Sequence, residues 1–373
     1  MNSKLNNSIL ENVISEIQGM DPELLMTIIS PIIITIGAIK TKKYANRVFT
    51  LTKLKSTHNV KIKPNKNLFV NHGYNTNLDN DLKEVVNLFI KALLNNKNAD
   101  LTFFYNNIKS LKVGKLKPQK RFLFIFEKDK IINVGNYDAN NNVIRILSNR
   151  KTTINQIINT FLHELFHLAS SNANERHLFS GFYQKHAGKK AIGIGLTEGY
   201  TSLLGKRYFQ NEEESAYEIE ARMAIAIEMI VGKDLMESLY FKADLYNLVK
   251  ILKRYDTKNN VLKFLTNLDL VSLKKDKINK LLERYHVKRS LTKTCVFLIR
   301  NYVMLLKEQM DNKLISDDDF TILLRDFISV LGTNYTLGKT EINYLNEKII
   351  NECITKALGS TFNIFNRKTR WQK

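Results

Sequence analysis

The chain has 373 residues, 44% of them hydrophobic and 25% charged, which excludes a disordered or fibrous protein and allows one large or two ordinary domains around a sizeable core. Its two cysteines, Cys295 and Cys353, have neither metal spacing nor the pattern of a disulfide framework, as fits a reducing compartment. The formal net charge of +21 invites an anionic partner, but Lys far outnumbers Arg, Asn is abundant and no nucleic-acid module signature is present, so the lysines read as solvated faces and nucleic acid is not an expected partner.

Residues 1–23 are polar and mildly acidic. An apolar run follows at 24–39, and directly after it come Lys40, Lys42, Lys43 and Arg47. The run begins too late, and its charges lie on the wrong side, for a secretory signal. It is shorter than the roughly 20 residues of a spanning helix, and Pro31 interrupts it. The sequence leaves membrane association through 24–39 open. A span would leave the rest of the chain in the cytoplasm by the positive-inside rule, and a cytoplasmic location is the expectation either way.

Residues 40–80 are basic, with a strand-like piece at 48–54. His58 and His72 have no partner spacing and read as surface residues. Residues 81–95 carry apolar Leu82, Val85, Val86, Leu88, Phe89, Ala92 and Leu93 at helical spacing. A strand is expected at 121–126, a turn-rich stretch at 135–142 and a second strand at 142–147.

That strand leads into the stretch around which the chain is organised. Apolar residues recur at Ile154, Ile157, Ile158, Phe161, Leu162, Leu165 and Phe166, and Thr153 with Gln156 forms a capping-box pattern. The helix so defined carries His163-Glu164-Leu165-Phe166-His167, an H-E-x-x-H motif. His163 and His167, one turn apart, share a face and can bind one Zn2+. Glu164 can reach a water at that position without being a ligand, which makes it the candidate general base.

Residues 171–195 hold His177, Phe182, Tyr183, His186 and several glycines, and read as a loop bordering a cleft. His177 and His186 are either substrate contacts or surface residues. A catalytic zinc needs a third protein ligand, and the next candidate is Glu198, within Leu196-Thr197-Glu198-Gly199-Tyr200 at the start of another helix that buries Leu196, Leu203 and Leu204. H-E-x-x-H followed by a Glu-Gly helix resembles the gluzincin branch of the zincin metallopeptidases, which includes thermolysin-like enzymes and the zinc aminopeptidases. The resemblance covers roughly residues 120–232. It implies His163, His167 and Glu198 as ligands, Glu164 as base, and the strand at 142–147 as the sheet edge beside the cleft. Thr197 stands where Asn is usual, and Ser202 where some members carry Asp.

Residues 212–231 form a further helix ending at Gly232. Near its start, Tyr217 is the candidate oxyanion donor, since many gluzincins use Tyr or His for this. Glu218 and Glu220 are candidates to orient a ligand histidine, and are rivals of Glu198 for the third ligand. The remainder reads as helices at 235–255, 261–268, 278–285, 290–310, 317–331 and 341–358. The stretch 295–306 is apolar but carries Arg300 and Asn301, as a core helix would.

The expected architecture is α+β. Residues 1–50 form the N-terminal segment, 51–232 a zincin-like metallopeptidase domain and 233–373 a mostly α-helical C-terminal region. The expected activity is zinc-dependent hydrolysis of a peptide or protein substrate. The alternative is a non-catalytic zincin-like or metal-free binding protein, acting through its charge at a membrane surface or on nucleic acid.

Overall fold

The computed structural model describes residues 80–115, 135–146, 153–174, 176–209, 217–275, 281–337 and 340–359, all within the compact unit Leu54–Lys373. The apolar run at 24–39, the piece at 48–54, His58, His72 and the strand expected at 121–126 lie outside the described residues. Among those described, eleven helices and three small sheets make an α+β architecture.

Helices α1 (Asn80–Leu94) and α2 (Thr102–Ile108) precede the first sheet. They pack on α3 (Ile154–Ala169), the helix of the H-E-x-x-H motif. Phe89 stacks on Phe104 with ring centroids 5.3 Å apart and meets Phe166 of α3 edge-on at 4.9 Å. All three rings are fully buried, so this aromatic cluster anchors the back of α3. The start of α3 carries the capping box that the sequence predicts. Thr153 Oγ1 accepts from the Gln156 N–H, and Gln156 Oε1 accepts from the Thr153 N–H.

The first sheet comprises β1 (Lys112–Lys115), β2 (Gly135–Asp138) and β3 (Val143–Ile146), in the order β1-β3-β2, with β1 parallel and β2 antiparallel to β3. Two expectations are corrected here. The stretch 135–142 is a turn only in its second half, because Gly135–Asp138 pairs along β3. And β3 is the central strand, so among the described strands the edge on the α3 side is β2. Gly-Asn-Tyr-Asp lacks the apolar alternation of a strand; its pairing with β3 and its packing on α3 make it one. Gly135 sits so close to α3 that a Cβ would lie 2.3 Å from Thr160 Cγ2.

Residues 171–186, read as a loop, form a second sheet, the antiparallel meander β4 (Ser171–Ala173), β5 (His177–Ser180) and β6 (Tyr183–His186). These strands are three or four residues long and partly polar, too short for a period to show.

Helix α4 (Ile194–Phe209) carries Glu198, and α5 (Glu218–Val231) crosses it at backbone contact. A Cβ on Gly199 would stand 2.2 Å from the Glu220 carbonyl oxygen. The expected helix at 235–255 is two, α6 (Lys233–Phe241) and α7 (Leu245–Leu252). The break is at Ala243, with φ of 51°, and at Asp244, which caps α7. Next come α8 (Lys258–Lys274) and α9 (Leu281–Asp311). The latter merges two expected segments into one 31-residue helix whose middle is core, with Asn301 fully buried and donating to the Phe297 carbonyl. Helix α10 (Asp317–Leu331) has the expected bounds. Strand β8 (Thr340–Asn343), paired with β7 (Asn334–Leu337), occupies the start of what was expected as a helix at 341–358, and α11 (Glu347–Leu358) the rest from residue 347. Helix α8 packs on α4 and α9, and α9 packs on α5, α10 and α11, so the helices after residue 233 lie directly against those that carry the motifs. No helix among the described residues is long and apolar enough to cross a membrane.

The crossing at Gly199 makes a stability prediction. Gly199→Ala sets a methyl group against α5 backbone, which cannot rotate away, so it should cost about 1–3 kcal/mol or more, the range for overpacking. Urea unfolding of the two proteins measures it, and an unchanged midpoint would contradict the close crossing.

Candidate metal centre

Helix α3 projects His163 and His167 from successive turns, and α4 brings Glu198 to meet them from its own first turns. Nε2 of His163 and Nε2 of His167 are 3.1 Å apart. Oε2 of Glu198 lies 3.2 Å from the first and 3.4 Å from the second. Three donor atoms thus form a nearly equilateral triangle. Tetrahedral coordination with metal–ligand bonds of about 2.0–2.1 Å has ligand–ligand edges of about 3.3 Å, so this donor set fits one metal ion. Among the described residues it is the one such group of three or more. Burial raises the Glu198 carboxyl, yet the facing His167 and His163 imidazoles outweigh it and hold the group well below the usual carboxylate range.

Glu164 lies beside the triangle and outside it, 5% exposed. Burial pushes its carboxyl up to about 7, with the Glu198 charge adding to the rise and His163 and the Tyr137 N–H of β2 opposing it. A carboxylate near neutrality can both take and return a proton at physiological pH.

Tyr217 caps α5, and its ring stacks on that of His163, with centroids 5.7 Å apart and planes 14° from parallel. Its hydroxyl is hydrogen-bonded to Glu198, and burial, then the charges of Glu198 and Glu164, keep it protonated. The structure therefore brings together all five residues singled out in the sequence. The rivals are engaged elsewhere: Glu218 pairs with Arg222 at 2.6 Å and Glu220 with Lys275 at 2.7 Å. Neither meets a histidine of the triangle in a described ion pair or hydrogen bond, which corrects the orienting role considered for them.

Thr197, in the position where Asn is usual, is buried and donates to the Ser180 carbonyl at 3.3 Å, tying α4 to β5. His186 is buried and His177 half-buried. They are cross-strand partners with Nδ1 atoms 2.6 Å apart, and the Phe179 ring meets that of His186 edge-on.

Sequence reasoning missed three contributions. The backbone of Tyr137 bonds the candidate base. Asp269 of α8 accepts from the N–H groups of Gly193 and Gly195 at 3.0 and 3.1 Å, fixing the start of α4. Lys275, one residue past α8, is 4% exposed and lies over the Tyr217 ring at 4.3 Å. None had a local signal, since each acts on a segment far away in the chain. Comparison with family models, curated proteins and solved structures finds no match to this chain.

The histidine pair makes a pH prediction. Burial, and then His177, lower the His186 imidazole below its ordinary value, so the folded protein binds a proton there less readily than the unfolded chain. The neutral His186 ring contributes fully above about pH 6.5, the ordinary imidazole value, and its contribution is lost as pH falls below that. The melting temperature of the wild type should therefore drop more between pH 7 and pH 5 than that of His186→Gln. Parallel curves would refute this.

Proposed function

We propose that the protein is a zinc-dependent metallopeptidase of the zincin class, similar in its donor set to the gluzincins. His163, His167 and Glu198 would hold the ion, with Glu164 as general base. One observation carries the reading: a metal-sized triangle of two imidazoles and a carboxylate, with a buried carboxyl held near neutrality beside it.

Zinc bound there would lower the pKa of a coordinated water and polarise a carbonyl. The chain's own residues do the rest. Glu164 takes the proton of the attacking water and passes it to the leaving nitrogen. The Tyr217 hydroxyl, beside His163 and protonated, would turn its one proton from Glu198 to the oxygen that gains charge. Strand β2, whose Tyr137 N–H bonds Glu164, is the element along which an extended peptide would lie, pairing through main-chain hydrogen bonds. The reading includes a cytoplasmic catalytic unit, supported by the position of Lys40, Lys42 and Lys43 after the apolar run. A purely structural metal site has no use for Glu164, and this favours an enzyme over a binding scaffold.

Two measurements test it. Mass spectrometry should find one zinc per wild-type chain and none in His163→Ala, His167→Ala or Glu198→Ala; stoichiometric zinc in any of the three would remove that residue from the ligand set. Glu164→Gln keeps shape and zinc but cannot accept a proton. Cleavage of a broad peptide library should fall by roughly 10²–10⁴-fold or more, the contribution of a placed proton-transfer group. Equal cleavage by the two zinc-loaded proteins would show that Glu164 is not the base.

A further inference from the structure

Lys275 is a lysine in a place where lysine is costly. It is 4% exposed, and its Nζ lies 2.7 Å from Oε1 of the fully buried Glu220. Removing both charges from water offsets much of their attraction, and an apolar pair of the same volume can fill such a space as well. The ion pair is therefore poorly explained as a means of holding α5 to α8. It does a second thing that an apolar pair could not: the same ammonium stands 4.3 Å from the centroid of the Tyr217 ring. A cation over an aromatic face fixes the ring through its quadrupole, and more strongly where water is excluded.

The orientation of that ring has consequences. It is stacked on His163, and its hydroxyl is hydrogen-bonded to Glu198. A continuous series of contacts thus runs from Glu220 to Lys275, Tyr217 and Glu198. It joins α5, the end of α8 and α4 at the donor triangle. Gly199, next to Glu198, touches the backbone of Glu220, so the two ends of the series are also in register through the main chain.

We propose that Lys275 is a positioning residue of the metal centre: locked by Glu220, its ammonium sets the plane of the Tyr217 ring, and through it the direction of the Glu198 carboxylate. The proposal rests on the metallopeptidase reading of the site. Lys275 acts through Tyr217, over whose ring its ammonium stands. Groups that orient a metal ligand typically contribute 10–100-fold to metal affinity or activity.

The test is a cycle of variants read by zinc affinity, measured against a chromophoric chelator, and by the visible spectrum of the cobalt(II) form. Lys275→Met/Glu220→Gln removes both charges together and leaves no unpaired buried ion. It should fold, weaken zinc binding 10–100-fold and change the cobalt spectrum. Tyr217→Phe should do the same. Because Lys275 acts through Tyr217, the triple variant should bind zinc no more weakly than Tyr217→Phe alone. If the charge-free pair does not fold, Lys275→Gln carries the same expectation, since it can still donate to Glu220 but places no cation over the ring. Wild-type zinc affinity and an unchanged cobalt spectrum in the charge-free variants would overturn the proposal. So would losses that multiply in the triple variant. A wild-type protein that takes up neither zinc nor cobalt would overturn the metal-site reading, and this inference with it.

Discussion

A carboxylate from α4 is held against two imidazoles of α3, with donor atoms 3.1 to 3.4 Å apart and largely shielded from water. A charge taken out of water is expensive unless it is paired, so this cluster dictates how the surrounding helices can pack. Helices α3 and α4 must meet at one rotation and one height. The buried aromatic cluster of Phe89, Phe104 and Phe166 fixes α3 from behind. The glycine contact between α4 and α5 fixes the second helix from its far side.

The start of α4 is set by a helix much later in the chain. Asp269 takes the N–H groups of Gly193 and Gly195, and Lys275 at the end of the same helix reaches the Tyr217 ring. Helix α8 thus touches the site twice, at the entry to α4 and at the cap of α5. It lies in the chain well after the H-E-x-x-H and Glu-Gly segments. Helix α8 is in this sense part of the site's construction.

Electrostatics around the triangle are unequal. Glu198, facing both imidazoles, is driven to the charged state, whereas Glu164, one residue from His163 but turned toward β2, is held up to about 7 by burial. Two carboxylates in one small volume are thereby shifted in opposite directions, one held ionised and one raised toward neutrality. This division is what the proposed hydrolysis requires of the chain. Strand β2, an edge among the described strands, donates its Tyr137 N–H to Glu164 and so ties that carboxyl to the first sheet.

What the sequence determined by itself is local. The capping box at Thr153, the one-turn spacing of His163 and His167, the apolar face of α3, the Glu-Gly turn of α4 and the bounds of α10 all depend on neighbours a few residues away, where helical periodicity and capping chemistry are directly readable. The α+β class was legible for the same reason. Tertiary structure decided what depends on pairing across distance. Gly135–Asp138 is a strand because β3 lies beside it, and residues 171–186 are a meander although no strand in it is long enough to show alternation. Residues 341–343 likewise belong to a hairpin strand where the start of a helix was read. It also decided which of three acidic side chains faces the histidines. Glu218 and Glu220 sit on a helix as plausible as that of Glu198; Glu218 pairs with Arg222 one turn on in the same helix, and the packing of α5 turns Glu220 to Lys275. A side chain's partner is set by where helices cross, and that crossing is a property of the whole core.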